Sequence, residues 1–160
     1  MTNAAPPRPN ASDQPSDARL ATEAWLSVVQ TYNQCSAALT RRLAPLGLSV
    51  LQHEMLMNLK RTPKMSQQQL AERCFSAKSG ISMQVAAFEK DGVIERRVDP
   101  KDARARLLDL TPRGAELAAK ALAVQTEIVE AMTSGYDWDE LADLKRRMDE
   151  ISAILKGMAA

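Results

Sequence analysis

At 160 residues the chain has room for one compact domain with extensions, and its 45% hydrophobic and 26% charged content is that of a soluble globular protein rather than a disordered or fibrous one. No apolar run approaches the ~18 residues of a membrane span, no basic-then-apolar leader opens the chain, and two cysteines make no disulfide framework; a cytoplasmic protein with reduced thiols and no membrane partner is expected. The net charge of +1 hides a division: 5 basic and 4 acidic side chains in residues 1–60, 12 and 8 in 61–120, 4 and 8 in 121–160. The middle third is therefore expected to face an anion, although chance among solvated surface charges produces the same pattern.

Residues 1–17 hold Pro6, Pro7, Pro9 and Pro15 among small polar residues, which predicts a disordered tail with little to bury. From about Leu20 to Leu46, apolar residues fall at Trp25, Val28, Tyr32, Cys35, Leu39, Leu43 and Leu46. Spacings of three and four mark one amphipathic helix, ended by Pro45 and Gly47. A second helix is predicted from about Ser49, its N-cap, to Lys60. A third runs from Ser66 to Arg73, opened by a capping box of Ser66 with Gln69. A fourth lies within Ala77 to Lys90, with Gly92 where a C-terminal glycine belongs.

The texture then changes. Val93–Val98 and Arg106–Leu110 are short and β-branched or alternating, and the stretch from Asp99 to Ala105 between them is rich in turn formers and charge. A two-stranded hairpin with a basic tip is predicted. Thr111 and Pro112 open a helix to about Met132, Gly135 breaks it, and Asp137 with Glu140 caps a last helix. That helix carries Trp138, Leu141, Leu144, Met148, Ile151, Leu155 and Met158 on a three-four seam. The chain contains no internal repeat.

Helices followed by a recognition-type helix and a hairpin give the winged-helix plan. The long helices on either side are surplus to it. Their apolar seams are expected to be buried by a second subunit, with packing onto the same chain as the alternative.

Specific residues carry a resemblance. Leu70-Ala71-Glu72-Arg73, Lys78-Ser79-Gly80-Ile81-Ser82 and Phe88-Glu89-Lys90-Asp91-Gly92-Val93-Ile94, then Glu95 through Ala105 with Asp102-x-Arg104, and Leu110-Thr111-Pro112-Arg113-Gly114 resemble, in order, the helix-turn-helix and wing of the MarR family of transcription regulators. Leu46-Gly47-Leu48-Ser49 with Gln52 is similar to the start of that family's second helix. The architecture matches over about 20–158 and the motifs over 46–114. Four positions depart from the family's habit: Phe75 stands where glycine is frequent, Ala77 where Ser or Thr opens the recognition helix, Met83 where arginine is frequent, and His53 where an aromatic is frequent. These bear on sequence readout more than on the fold.

The expected fold is mainly α with a small β-hairpin, a winged helix-turn-helix flanked by N- and C-terminal dimerisation helices. Its divisions are a disordered tail at 1–17, a dimerisation helix at 18–48, the winged helix-turn-helix at 49–111 (helix-turn-helix about 66–91, wing about 93–110) and C-terminal dimerisation helices at 112–160. In the recognition helix Ile81, Val85 and Phe88 form the core stripe, and Ser79, Met83, Ala86 and Lys90, with Ser82 on the flank, face outward. That small polar face suits a major groove about 12 Å wide: Ser79 and Ser82 for base edges, Met83 for a thymine methyl, Lys78 and Lys90 for phosphates. On the wing, Arg104 is expected at an exposed turn, aimed by Asp102 into a narrow, strongly negative minor groove. Arg96, Arg97, Lys101 and Arg106 add phosphate attraction; for some of these, keeping the hairpin soluble is the whole role.

The resemblance implies double-stranded DNA with a pseudo-palindromic operator as partner, a homodimer, and a small, aromatic or phenolic effector bound between the dimerisation helices and the DNA-binding lobe. It suggests Tyr32, Arg41 and His53 as ligand-binding candidates. Each also has a structural role to fill, Tyr32 and His53 as partly buried packing residues and Arg41 as a solvated cation. Repression relieved by that effector is the function implied. The alternatives are a thiol-redox-responsive regulator using Cys35 or Cys74, both of which read first as buried packing thiols, and a winged helix for protein contacts with no DNA role. One histidine and two separated cysteines give no catalytic constellation and no metal set, and no phosphate-binding loop is present. No enzyme, cofactor or metal is expected.

Overall fold

The computed structural model describes residues 17–99 and 102–158, and the side chains of 18–99 and 106–158. The elements run α1 (Asp17–Leu43), a 3-10 turn (Ala44–Leu46), α2 (Val50–Arg61), β1 (Met65–Ser66), α3 (Gln67–Arg73), α4 (Lys78–Lys90), β2 (Ile94–Asp99), β3 (Asp102–Leu110), α5 (Pro112–Thr133) and α6 (Trp138–Met158). The chain divides into a unit of residues 1–38 and a unit of residues 39–160. The expected tail at 1–17 lies outside the described residues except for Asp17, which opens α1.

Helix starts are set locally. Ser49 and Gln52 exchange side chain–backbone hydrogen bonds of 3.2 and 2.9 Å at the start of α2. Ser66 and Gln69 do the same at α3, with bonds of 3.1 and 2.8 Å. Asp137 and Glu140 repeat the arrangement at α6, both bonds at 2.9 Å. Each pair satisfies backbone N–H groups that have no partner within the helix. The first helix stops earlier than its periodicity implied, at Leu43. Pro45 and Gly47, the latter at φ +69°, turn the chain through the 3-10 segment.

The unit of residues 39–160 holds the hydrophobic core. Leu43, Met55, Leu56, Leu59, Leu70, Ile81, Val85 and Leu108 are fully enclosed, and Ala118 and Ala121 let α5 approach α2. Burying each large aliphatic side chain stabilises the fold by roughly 1.5–3 kcal/mol.

The wing differs from the sequence expectation in two ways. Its sheet has three strands, in the order β1-β3-β2, because Met65 and Ser66 pair antiparallel with Leu108 and Leu107. Two residues carry no readable period, and the pairing depends on the buried Met65 meeting Leu108 across the ladder. The hairpin is also longer. Ladder pairing continues from Ile94 opposite Leu110 to Asp99 opposite Asp102, with a register shift between Val98 and Asp99. Asp102 and Arg104, expected on the turn, are therefore backbone members of β3. Charged, turn-forming composition hid a strand that cross-strand hydrogen bonds hold in place.

Candidate nucleic-acid interface

The recognition helix is built by its buried side. Ile81, Val85 and Phe88 are 0, 0 and 3% exposed, so the helix cannot rotate about its axis without opening the core. This fixes what faces solvent: Lys78, Ser79, Ser82, Met83, Ala86 and Lys90 are all exposed, as the helical spacing predicts. Among the described residues neither Lys78 nor Lys90 has a carboxylate partner, which leaves both ammonium groups for an outside anion. The start of α4 also differs from its neighbours. Ala77 is its N-cap and supplies no side-chain hydrogen bond, so among the described residues no side chain caps the first-turn amides at the positive end of this helix.

Both ends of the helix-turn-helix are closed by the same backbone device. At the end of α4, Val93 N–H donates to the Phe88 carbonyl at 2.8 Å and Gly92 N–H to that of Glu89 at 3.0 Å. At the end of α3, Ser76 N–H donates to Ala71 at 3.1 Å and Phe75 N–H to Glu72 at 3.3 Å. Both are Schellman closures, which place the residue after the C-cap in the left-handed region. Gly92 takes it at φ +66°, and Phe75 takes it at φ +46°. Phe75 is also 94% exposed. Sequence reasoning noted Phe75 as a departure but missed this consequence; a bulky residue directly after a helix stop was the available signal.

The motif Leu110-Thr111-x-x-Gly114 proves to be a clamp. Thr111 Oγ1 donates to the Gly92 carbonyl at 2.6 Å and accepts from Gly114 N–H at 3.0 Å, while Thr111 N–H reaches the Val93 carbonyl at 3.1 Å. A Cβ on Gly114 would lie 2.0 Å from the Val93 oxygen. The start of α5 is thus pressed against the junction of α4 and β2, and it holds recognition helix and wing in one relation.

On the wing, Arg96 is partly spent internally. Its Nε donates to Glu89 of α4 at 2.8 Å, a cross-link between recognition helix and wing that the sequence reading did not find. Arg97 pairs with Glu95 through Nε at 2.9 Å. Both cations keep exposed surface, and Arg106 is exposed on β3. Lys101 lies outside the described residues, as do the side chains of Asp102 and Arg104.

The ligand candidates fall in two units, Tyr32 in residues 1–38 and Arg41 and His53 in residues 39–160. Tyr32 is 70% exposed in the unit of residues 1–38, which corrects the expectation of a partly buried packing residue: no neighbour in that unit covers its face of α1. Arg41 is solvated, as expected. His53 is buried, 4% exposed, and neither ring nitrogen makes a hydrogen bond within the described chain. Burial holds its pKa below the ordinary value; the nearby Gln125 side chain offsets this in part. Among the described residues of 39–160, clefts of about 470 and 370 Å³ open, and neither of these is lined by Arg41 or His53.

The thiols separate clearly. Cys74 is buried with Asn58 Nδ2 at 3.7 Å, and burial together with the Glu54 carboxylate pushes its pKa up to about 11. Cys35 is half-buried and free. Among the described residues no cluster of His, Cys, Asp and Glu could hold a metal ion, and no helix is long and apolar enough to cross a membrane.

Comparison with known proteins agrees with this geometry. The MarR family model matches residues 46–105, the span from the 3-10 turn to β3. An HTH-type transcriptional regulator of Bacillus cereus is 27% identical over 124 residues, covering 78% of this chain and 80% of its own. The fold is that of AbsC, a MarR family transcriptional regulator from Streptomyces coelicolor, with a TM-score of 0.77 at 23% identity over 90% of this chain and 98% of that one. It is also that of the transcriptional repressor CouR bound to a 23-mer DNA duplex, with a TM-score of 0.72 at 20% identity over 88% and 99%. Matched segment, relatives and architecture together make this chain similar to the MarR family of winged helix-turn-helix transcription regulators.

Proposed function

We propose that the chain is a sequence-specific double-stranded DNA-binding regulator that acts in the cytoplasm as a homodimer, a repressor whose grip on a pseudo-palindromic operator is relieved by a small ligand. The observation that carries the DNA reading is α4: a fully buried apolar stripe fixes an outward face of Lys78, Ser79, Ser82, Met83 and Lys90, ahead of uncapped first-turn amides and beside a basic wing. Serines meet base edges, Met83 a thymine methyl, and the lysines phosphates. Arg96, Arg97, Lys101 and Arg106 attract the backbone, and Arg104, positioned by Asp102, enters the minor groove. The likeness to CouR, itself seen on a DNA duplex, supports this use of the fold.

The dimer reading rests on α6. Every residue from Ala142 to Met158 is exposed, including Leu144, Met148, Ile151 and Leu155, and α1 exposes Trp25, Val28 and Tyr32. Such seams are stable in water when a second copy covers them. Two-fold symmetry then sets two α4 helices on half-sites about 10–10.5 bp apart. The effector rests on the family resemblance: an aromatic or phenolic acid that favours a dimer with the wrong spacing of recognition helices, with Tyr32, Arg41 and His53 as contacts to test. A thiol switch is disfavoured at Cys74, because a buried thiol with a pKa near 11 supplies almost no thiolate.

The test is a titration of the folded dimer against duplexes recovered by selection from genomic fragments, with random duplex as competitor. Specific retention of a two-fold duplex is expected, and addition of phenolic acids should release it. Equal binding to selected and random duplex would refute the sequence-specific reading and favour a protein-contact module.

A further inference from the structure

We propose that Phe75 is a specificity-determining residue for DNA, making an apolar contact with a thymine 5-methyl group at the edge of the major groove that receives α4. The inference rests on the DNA-binding reading and extends it to a residue outside the recognition helix.

Three observations meet at this side chain. The first is conformational. Phe75 occupies the left-handed position of a Schellman closure at φ +46°, a region that a bulky L-residue enters only under strain, while the equivalent closure of α4 is made by Gly92 at φ +66°. Glycine would close α3 without that strain. The second is burial. The ring is 94% exposed and makes no ring contact among the described residues, so nothing described in the fold repays either the strain or the exposed apolar surface. The third is placement. Phe75 precedes Lys78, the first residue of α4, by three residues, so the two Cα atoms are at most roughly 11 Å apart along the chain. A recognition helix meets base edges with its N-terminal residues, and here those residues follow an uncapped start.

The ring has no hydrogen-bonding group, so it reads only apolar features of the duplex. In the major groove the apolar feature is the thymine methyl. Met83, 66% exposed on the outward face of α4, has the same chemistry. Two exposed apolar groups, one on the turn and one on the helix, shift the expected readout towards thymine.

The experiment uses the full-length protein and a duplex selected by it. Each thymine is replaced in turn by uracil, which removes only the methyl group. For the wild type, uracil at the contacted thymine of one half-site should weaken binding about fourfold, the size of one methyl group's burial. Phe75→Gly should bind the unmodified duplex more weakly by at least that factor, should be indifferent to that uracil, and should melt at a higher temperature because the strain is gone. Phe75→Ala, which removes the ring and retains the left-handed strain, should show the same loss of affinity and of uracil sensitivity. An unchanged affinity or uracil profile in either variant overturns the proposal. A loss of affinity confined to the glycine variant would assign the effect to turn flexibility and overturn it too. Weaker self-association with DNA binding intact would place the ring at a protein contact, again against the proposal. A folded, dimeric wild type that recovers no duplex would instead defeat the DNA-binding reading itself.

Discussion

Helices α4 and α6 are both amphipathic, and the chain treats them in opposite ways. In α4 the apolar stripe of Ile81, Val85 and Phe88 is enclosed by the chain's own core, and the exposed face is small and polar. In α6 no residue is buried. Its charged side is tied up in intrahelical ion pairs, Lys145 with Asp149 at 2.6 Å, Arg146 with Glu150 at 2.8 Å and Arg147 with Asp143 at 2.7 Å, while Leu144, Met148, Ile151 and Leu155 face solvent. A helix that has already buried its apolar face offers polar chemistry to a partner, whereas a helix that has not offers area. Under the proposed function the same local pattern serves recognition in one place and assembly in the other, and the deciding variable is what the rest of the chain has covered.

Substitutions that strike one helix and spare the other sharpen that contrast. The largest effect is expected where α4 is locked. Gly114→Ala places a methyl group 2.0 Å from a backbone oxygen, and a backbone clash should cost more than the ~1–3 kcal/mol of ordinary overpacking. Calorimetry should show a large fall in the melting temperature, and a melting temperature within a degree or two of the wild type would disprove the clamp. Next comes Ile151→Asp on α6. A carboxylate forced into a subunit interface without a partner costs about 3–5 kcal/mol, so light scattering should find monomers at concentrations where the wild type is dimeric. If α6 faces only water in solution, Ile151→Asp will leave the mass unchanged.

Arg104→Ala should be smaller and confined to DNA. Loss of an arginine contact weakens specific binding by ~1–3 kcal/mol, the melting temperature should hold, and exchanging A·T for G·C pairs beneath the wing should weaken the wild type more than the variant. Equal responses would remove the minor-groove role. The smallest effect is a pH dependence. His53, held neutral by burial with its pKa below the ordinary 6.5, binds fewer protons folded than unfolded. Its contribution is therefore present above about pH 6.5 and declines as pH falls through that value towards the folded pKa. His53→Gln should flatten the denaturant midpoint between pH 5 and 7, and an equally steep profile in the variant would assign the slope to other groups.

Much of this architecture could be read from residue spacing. The N-cap at Ser49, the capping pairs at Ser66 and Asp137 and the glycine at position 92 act within four residues, so local pattern was sufficient to place them. So was the Ile81–Val85–Phe88 stripe, because one core covers it. The wing was harder. Strand β1 has two residues and exists only because Leu107 and Leu108 lie alongside, and the first half of β3 is charged and turn-like in composition, so both depend on partners distant in sequence. Glu89 bonding to Arg96 and Gly114 pressing on Val93 are likewise tertiary facts without a local signature. The exposure of Tyr32 has a related reason: periodicity identified the face of α1 that seeks cover but not what supplies the cover.

The central claim is that the outward face of α4 meets DNA phosphates and bases, and the salt dependence of binding tests it most directly. The logarithm of the affinity for a selected duplex, measured against the logarithm of salt concentration for the wild type and for Lys78→Ala, should fall along straight lines, with the variant's slope shallower by about one unit and its melting temperature unchanged. Parallel lines of equal height, with the variant binding as tightly as the wild type at every salt concentration, would contradict the account.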